Sequence, residues 1–197
     1  MTSPSPLGHE ATTWLRLQKR AHQEFGARVA LVRDWTAPTP DDDWDTADLV
    51  RHVIEEQQWV PWLLSGLSTK QAQSRLHKLG ENLAEEWHRY SLAATTAWHD
   101  ASPEQPVNLS YDTVEVIDYL KEQVADVTIH TWDLARAVGA EEALDEELIA
   151  AVWTVFEPQR ETLEASGLFA SPIPVGEDAP LQSRLLALTG RDDRVSA

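Results

Sequence analysis

The sequence predicts an all-α protein, a bundle of four long helices with an additional helix and an extended C-terminal tail. Apolar residues recur at three- and four-residue steps in each long segment, and stretches containing proline or glycine separate the segments. No segment of useful length alternates polar and apolar residues as a half-buried strand does. The length of 197 residues favours one domain over 1–197, with a helical core at 9–166 and a proline-rich tail at 167–197.

The composition excludes several classes of function. The chain has 16 Lys and Arg against 33 Asp and Glu, a formal net charge of −17, which opposes phosphate backbones and anionic lipids. We therefore expect no nucleic-acid partner and no membrane partner. The chain has no apolar run of about 18 residues and no signal-peptide pattern, so we expect a cytoplasmic protein. It has no cysteine, which excludes disulfides, thiolate metal sites and cysteine nucleophiles, so any metal would need nitrogen and oxygen ligands.

The first predicted helix covers residues 10–34, and the second covers 46–64. One face of the first helix is apolar, with Trp14, Leu17, Ala21, Phe25, Val29 and Val32. That helix ends before 36–43, because two prolines and three successive aspartates cannot continue it. In the second helix, Thr46 is the expected N-cap, and Pro61 should bend or shorten the helix.

A third helix is predicted over 69–99 and a fourth over 112–138. The third is one continuous amphipathic segment, with Leu76, Leu79, Leu83, Trp87, Tyr90, Ala94 and Ala97 at helical spacing. The loop at 101–110 separates the two helices, and we expect it to be briefly extended at 107–109. Gly139 follows the fourth helix in the position of a C-terminal cap.

A fifth helix is predicted over 145–166, with an interruption near Pro158. The tail after it contains several prolines and is expected to be extended. One or two helical turns at 181–188 should follow, ending at Gly190.

Polar residues lie on helix faces that should be apolar. His52 shares a face of the second helix with Leu49, Glu56, Trp59 and Leu63. On the fourth helix, Asp126 and His130 are four residues apart and therefore stack one turn above the other, and Asp133 continues that face. Two imidazoles and a carboxylate from two helices would suit a divalent ion with open positions. A structural role stays open, since a histidine beside an apolar face is often a hydrogen-bonded core residue.

Four segments carry a resemblance to a known family. They are WDTADLVRH at 44–52, DVTIHTWDLARA at 126–137, and the tail segments SPIPV at 171–175 and LTGRD at 188–192. Together they resemble the DinB-like superfamily, and more narrowly its actinobacterial metal-binding branch related to the mycothiol-dependent maleylpyruvate isomerases. The resemblance implies a four-helix bundle that holds one divalent metal at its open end.

By motif position, the resemblance implies that the metal ligands are His52, Asp126 and His130. Zinc is the expected ion, although nickel, iron or manganese would also accept these donors. Mycothiol is the implied co-substrate. The chain has Asp126 where the isomerases have glutamate, and the shorter side chain either draws the metal toward the helix or leaves the carboxylate outside the metal shell. The isomerases are often longer, with a second C-terminal domain where this chain has a short tail.

Neighbouring residues have candidate roles. Glu56 lies one turn beyond His52 and would serve as a general base or would orient His52. It is otherwise a solvated carboxylate. Its neighbour Glu55 points away from this face of the helix. Trp59 lies in the His52 stripe and is a candidate wall of the cavity for substrate and cofactor. Asp133 would hold a ligand histidine or join the metal shell, or it would pair with Arg136 or another surface cation.

His22 is the substitute ligand should an assigned one prove wrong, although such a histidine is more often a core residue. We expect the remaining histidines to be surface groups: His9, His77, His88 and His99.

The leading hypothesis is a metal-dependent enzyme that uses a low-molecular-weight thiol for transfer to, or isomerisation of, a small electrophilic substrate. Two alternatives stay open. One is a hydrolase that activates water on the metal without a thiol. The other is a non-catalytic, stress-related protein that binds the metal or a ligand. Both a monomer and a homodimer are compatible with the sequence.

Overall fold

The structure is a computed structural model that describes residues 6–41, 43–167 and 169–195. The predicted domain limits, 1 and 197, lie outside these ranges. In chain order the described elements are α1 (Pro6–Val29), α2 (Thr46–Leu64), α3 (Thr69–Gln73), α4 (Leu83–Asp100), β1 (Pro106–Asn108), β2 (Thr113–Glu115), α5 (Val116–Ala137), α6 (Glu146–Phe156), a 3₁₀ turn (Glu157–Gln159), α7 (Arg160–Ser166) and α8 (Leu181–Leu188).

Four long helices close a ring around one apolar core. Helix α1 packs against α4 and α5, and α2 packs against the same two helices from the other side. Large side chains that are almost fully buried fill the space between them, among them Leu17, Phe25, Leu49, Ile54, Trp98, Ile129 and Trp132. The predicted all-α bundle is therefore confirmed. No helix in the described part of the chain is long and apolar enough to cross a membrane.

The start of α2 lies at the predicted residue, but the predicted cap is wrong. Asp45 is the N-cap, because its Oδ1 accepts a hydrogen bond from the backbone N–H of Asp48 at 2.9 Å. Thr46 instead donates its hydroxyl to the carbonyl of Ala37 at 3.0 Å. That bond ties the preceding loop to the first turn of α2.

The predicted third helix is wrong as one continuous element. The chain leaves the helix after Gln73 and enters α4 at Leu83. The side chain of Gln58, buried on α2, stabilises the break because it donates to the carbonyl of His77 at 3.1 Å and accepts from its N–H at 2.9 Å. The side chain of Asn82 then caps α4.

Other boundaries differ less. Helix α1 ends at Val29, five residues before the predicted end at 34. Beyond it the backbone forms hydrogen bonds between residues three apart, such as that from the N–H of Leu31 to the carbonyl of Arg28 at 2.9 Å. The expected extended stretch is β1, which pairs antiparallel with β2, so α5 begins at Val116 and not at 112.

The C-terminal part follows the prediction. The fifth predicted helix is interrupted at Pro158, where the 3₁₀ turn separates α6 from α7. Helix α8 covers Leu181–Leu188 and packs against α6. Gly190 follows it with φ of +79°, a left-handed conformation that favours glycine.

His22 of α1 is a neutral, buried core residue. It is 8% exposed, and Gln18 donates to its Nδ1 at 2.9 Å. Burial lowers the pKa of His22 to about 4. The unfolded chain therefore takes up a proton near pH 6.5, whereas the folded chain does not until near pH 4.

We expect the free energy of unfolding to fall as the pH drops from about 6.5 toward 4, by up to about 1.4 kcal/mol per pH unit from His22 alone. The His22→Gln variant should lack this component, as measured by urea unfolding at pH 7, 6 and 5. His88→Gln, at an exposed histidine of α4, is the matched control. The same pH slope in His22→Gln and in the wild type would contradict the assignment.

Candidate metal centre

Helices α2 and α5 bring the three predicted ligands together. His52 lies in the second turn of α2, while Asp126 and His130 lie one turn apart on α5, which packs directly against α2. Their donor atoms lie within 4.8 Å of one another. His130 is buried, whereas His52 and Asp126 are partly exposed, so the cluster lies at the edge of the core.

One carboxylate oxygen lies near both imidazoles. Oδ1 of Asp126 is 3.5 Å from Nε2 of His130 and 3.9 Å from Nε2 of His52. Donors around one zinc ion each lie about 2.0–2.2 Å from it, so modest side-chain movements would bring all three into a shared shell. Oδ2 of Asp126 is buried and has no hydrogen-bond partner among the described residues. Since buried polar atoms are nearly always partnered, this oxygen fits a cation-binding role.

The charges of the cluster are strongly coupled. Burial acts to raise the pKa of Asp126, but the charge of His130 and hydrogen bonds from both histidines hold that pKa well below its usual range. Burial acts to lower the pKa of His130, but Asp126 and then Asp133 raise it to about 9. The chain alone therefore holds His130 as an imidazolium between two carboxylates. A cation coordinated at Nε2 would replace that proton.

Asp133 lies behind His130, on the side away from Asp126. Its Oδ2 accepts from Nδ1 of His130 at 3.0 Å and from Nη2 of Arg191 at 2.9 Å. Of the alternatives for Asp133, the pair with Arg136 does not form among the described residues: Arg136 binds Glu142, and the cation beside Asp133 is Arg191. A carboxylate on the second imidazole nitrogen fixes the tautomer that exposes Nε2.

An aromatic ring covers the two histidines. The ring of Trp44, in the loop before α2, lies 4.7 Å from that of His52 and 5.8 Å from that of His130. Trp59 has no ring contact with either imidazole among the described residues and packs against the hydrophobic core. The aromatic ring beside the two histidines is thus that of a loop residue, and the role of Trp59 stays a prediction.

The Glu56 carboxylate is hydrogen-bonded to Gln123 of α5, and Gln57 of α2 holds the side chain of Gln123. Nε2 of Gln123 donates to its Oε2 at 3.2 Å, and Nε2 of Gln57 donates to Oε1 of Gln123 at 3.1 Å. Burial, and then the charge of Asp126, raise the pKa of Glu56, while His52 lowers it. Glu56 is therefore a partly buried carboxyl with a raised proton affinity beside the cluster. Glu55 is exposed.

The other predicted residues lie elsewhere. His22 bonds to Gln18 and is not part of the ligand cluster. The remaining four histidines are exposed: His9, His77, His88 and His99.

Sequence reasoning missed three residues of this site. Gln123 is a buried polar residue three positions before Asp126, a spacing that placed it on the same face of α5. Trp44 and Arg191 lie inside the segments that carried the family resemblance. The contacts of these two residues join separate elements, so no local spacing indicated them.

Comparisons with known proteins identify a family. A model of the mycothiol maleylpyruvate isomerase N-terminal domain matches residues 16–135. The chain is 28% identical over 188 residues to uncharacterized protein Rv0738 of Mycobacterium tuberculosis strain ATCC 25618 / H37Rv, covering 91% of this chain and 98% of the relative. Uncharacterized protein MT0763 of strain CDC 1551 / Oshkosh matches with the same values.

Two solved structures share the fold. The crystal structure of the mycothiol-dependent maleylpyruvate isomerase superposes with a TM-score of 0.66 at 17% identity, covering 98% of this chain and 94% of that chain. A histidine-to-alanine mutant of that isomerase superposes with a TM-score of 0.63 at 17% identity, covering 90% of this chain and 80% of that chain. These matches confirm the predicted DinB-like bundle.

Proposed function

The chain belongs to the family of mycothiol maleylpyruvate isomerase N-terminal domains, and on that premise we propose that it is a metal-dependent, thiol-using enzyme. Its co-substrate is mycothiol, and its reaction is transfer of the thiol to a small electrophilic substrate or isomerisation of that substrate. The observation that supports this most is the convergence of His52, Asp126 and His130, with an unpartnered buried oxygen on Asp126.

His52, Asp126 and His130 would hold the divalent cation, and zinc suits two imidazoles with one carboxylate. With three protein ligands, a fourth position would remain for a thiol or substrate. A divalent cation there supplies a Lewis acid that favours the thiolate form of a coordinated thiol. The chain has no cysteine, so the nucleophilic sulfur must come from a second molecule.

Glu56 would accept the thiol proton. Its Oε2 already accepts from Gln123, so Oε1 is the atom available for proton transfer. A carboxyl whose pKa burial has raised is a stronger base than a solvated one. Because Gln57 in turn holds the Gln123 side chain, the orientation of the Glu56 carboxyl is fixed from α5 and α2 together.

Trp44 would exclude water from one side of the reacting groups. Its ring lies over both ligand histidines, and loop hydrogen bonds hold its backbone, since Thr39 donates its hydroxyl to the Trp44 carbonyl at 2.9 Å. We place the reaction in the cytoplasm, where a low-molecular-weight thiol stays reduced.

Purified protein should contain about one divalent ion per chain by elemental analysis. We expect His52→Ala and His130→Ala each to lower zinc affinity by at least about tenfold, because each removes one of three protein ligands. His88→Ala, at an exposed histidine, should retain full occupancy, and circular dichroism would verify that the variants are folded. Full occupancy in both ligand variants would overturn the assignment of the site.

Mycothiol should bind saturably to the zinc-loaded protein in titration calorimetry, and at least about tenfold more weakly after chelation, because its sulfur would bind the metal. Binding that is equally strong without metal would contradict the proposal. Turnover of electrophiles without thiol would favour the hydrolase. Absence of turnover together with a lower melting temperature after chelation would favour a non-catalytic protein.

Glu56→Gln should lower turnover by about 10²–10⁴-fold, because general-base catalysis contributes that range. Its zinc content should not change, since Glu56 is not one of the three ligands. Glu55→Gln is the matched control, one residue away and exposed, and should leave the rate unchanged. Equal rates in the two variants would remove Glu56 from the proton-transfer step.

A further inference from the structure

The C-terminal segment at 169–195 lies outside the residues matched by the family model, yet it reaches the metal centre. We propose that Arg191 of this segment is a positioning residue for the metal centre: by holding Asp133 it fixes the ring of His130. Docking of the segment and binding of a divalent cation then strengthen each other. This inference rests on the proposed function, because it takes His130 as a metal ligand.

A continuous set of buried hydrogen bonds connects the tail to the ligand. The Arg191 guanidinium binds Asp133 in a fork, with Nε to Oδ1 at 3.2 Å and Nη2 to Oδ2 at 2.9 Å. Oδ2 of Asp133 also accepts from Nδ1 of His130 at 3.0 Å. Asp133 is fully buried and Arg191 is 7% exposed, so solvent does not compete strongly for these bonds.

Asp133 depends on Arg191 for its charge balance. Among the described residues, its side chain bonds only to His130 and Arg191. A buried carboxylate that loses its cationic partner is strongly destabilised. Without Arg191, the Asp133 side chain would lose the two bonds that hold it in place and would rotate away from Nδ1 of His130, which would release the His130 ring from its orientation. Removing a side chain that holds a metal ligand through a hydrogen bond typically weakens metal binding by about 10–100-fold.

The segment presents Arg191 as part of a fixed loop. Nη1 of Arg191 donates to the carbonyl of Thr189 at 2.7 Å, and its backbone N–H donates to the carbonyl of Leu186 at 2.9 Å. The guanidinium lies over the ring of Phe169, 5.5 Å from its centre. Arg136 of α5 donates to the carbonyl of Asp192 at 2.8 Å, a second tie between the segment and the ligand helix.

Gly190 is required for this conformation. Its φ is +79°, and a Cβ placed there would lie 2.5 Å from the Cβ of Ala170 and 2.9 Å from the Ala170 carbonyl. Gly190→Ala therefore cannot keep both the left-handed backbone and the close approach of Ala170. This variant displaces Arg191 without altering Asp133, His130 or the guanidinium itself.

The coupling is reciprocal. If the docked segment raises zinc affinity by a given factor, zinc must favour docking by the same factor. Two independent measurements therefore test one quantity.

The first experiment measures zinc affinity by competition with a chromogenic chelator. We expect Arg191→Gln and Gly190→Ala each to bind zinc about 10–100-fold more weakly than the wild type. Arg194→Gln is the matched control, since Arg194 is an exposed arginine of the same segment that pairs with Asp192, and it should bind zinc as the wild type does.

The second experiment measures amide hydrogen exchange with and without zinc. In the wild type, zinc should slow exchange at the Arg191 and Ile173 amides, which donate to Leu186 and Ala187. In Arg191→Gln the protection by zinc should be lost at these two amides, whereas a merely structural role would raise exchange equally with and without zinc. The comparison of wild-type exchange with and without zinc tests the inference even if a variant fails to fold.

Equal zinc affinity in the wild type, Arg191→Gln and Gly190→Ala, or wild-type exchange that zinc leaves unchanged, would overturn the inference and leave the proposed function standing. A wild-type chain that binds no zinc would overturn both.

Discussion

The imidazole of His130 lies buried between the carboxylates of Asp126 and Asp133, and this arrangement organises the functional end of the bundle. Asp133 is fully buried and Asp126 is partly exposed, and their two negative charges call for two positive charges nearby. Arg191 supplies one permanently, and the other comes from His130 itself when it is protonated or from a cation that replaces its proton. The proton and the cation therefore compete for one position, Nε2, because Asp133 occupies the other nitrogen. With the proton these four groups are electrically balanced, whereas a divalent cation at the same position adds one further positive charge to the cluster.

The packing of the bundle follows from the need to keep such polar groups partnered. Helix α5 carries Asp126, His130 and Asp133 along one side. Asp126 lies near His52 of α2 and Asp133 bonds to Arg191 of the C-terminal segment, while His130 lies between the two aspartates. One turn further along the interface between α2 and α5, Gln123 of α5 donates to Glu56 of α2, and Gln57 of α2 donates to Gln123. The apolar residues around them give the bundle its stability, while these cross-helix bonds determine how α2, α5 and the tail are positioned relative to one another.

The sequence predicted those parts that depend on helical period and missed those that depend on contacts between distant segments. The angle at which Asp126 and His130 leave α5 follows from 3.6 residues per turn, so their shared face was predictable. The break between α3 and α4 was not, because the leucines continue the helical spacing while Gln58, on another helix, stabilises the open backbone of His77. Trp59 was chosen from the same periodicity, but the aromatic cover comes from Trp44 in a loop. The partner of Asp133 lies 58 residues further along the chain.

The aspartate at 126 bears on how far the chemistry of the isomerases extends to this chain. The sequence left two consequences of the shorter side chain open: a metal drawn toward the helix, or a carboxylate outside the metal shell. We propose the first, because Oδ1 lies 3.5 and 3.9 Å from the two imidazole nitrogens and Oδ2 has no hydrogen-bond partner among the described residues. The ring of Trp44 lies 4.7 Å from that of His52 and 5.8 Å from that of His130, so it borders the same cluster. Asp126 and Trp44 therefore both border the histidines, and these are the positions at which we expect substitutions to change which substrate the chain accepts.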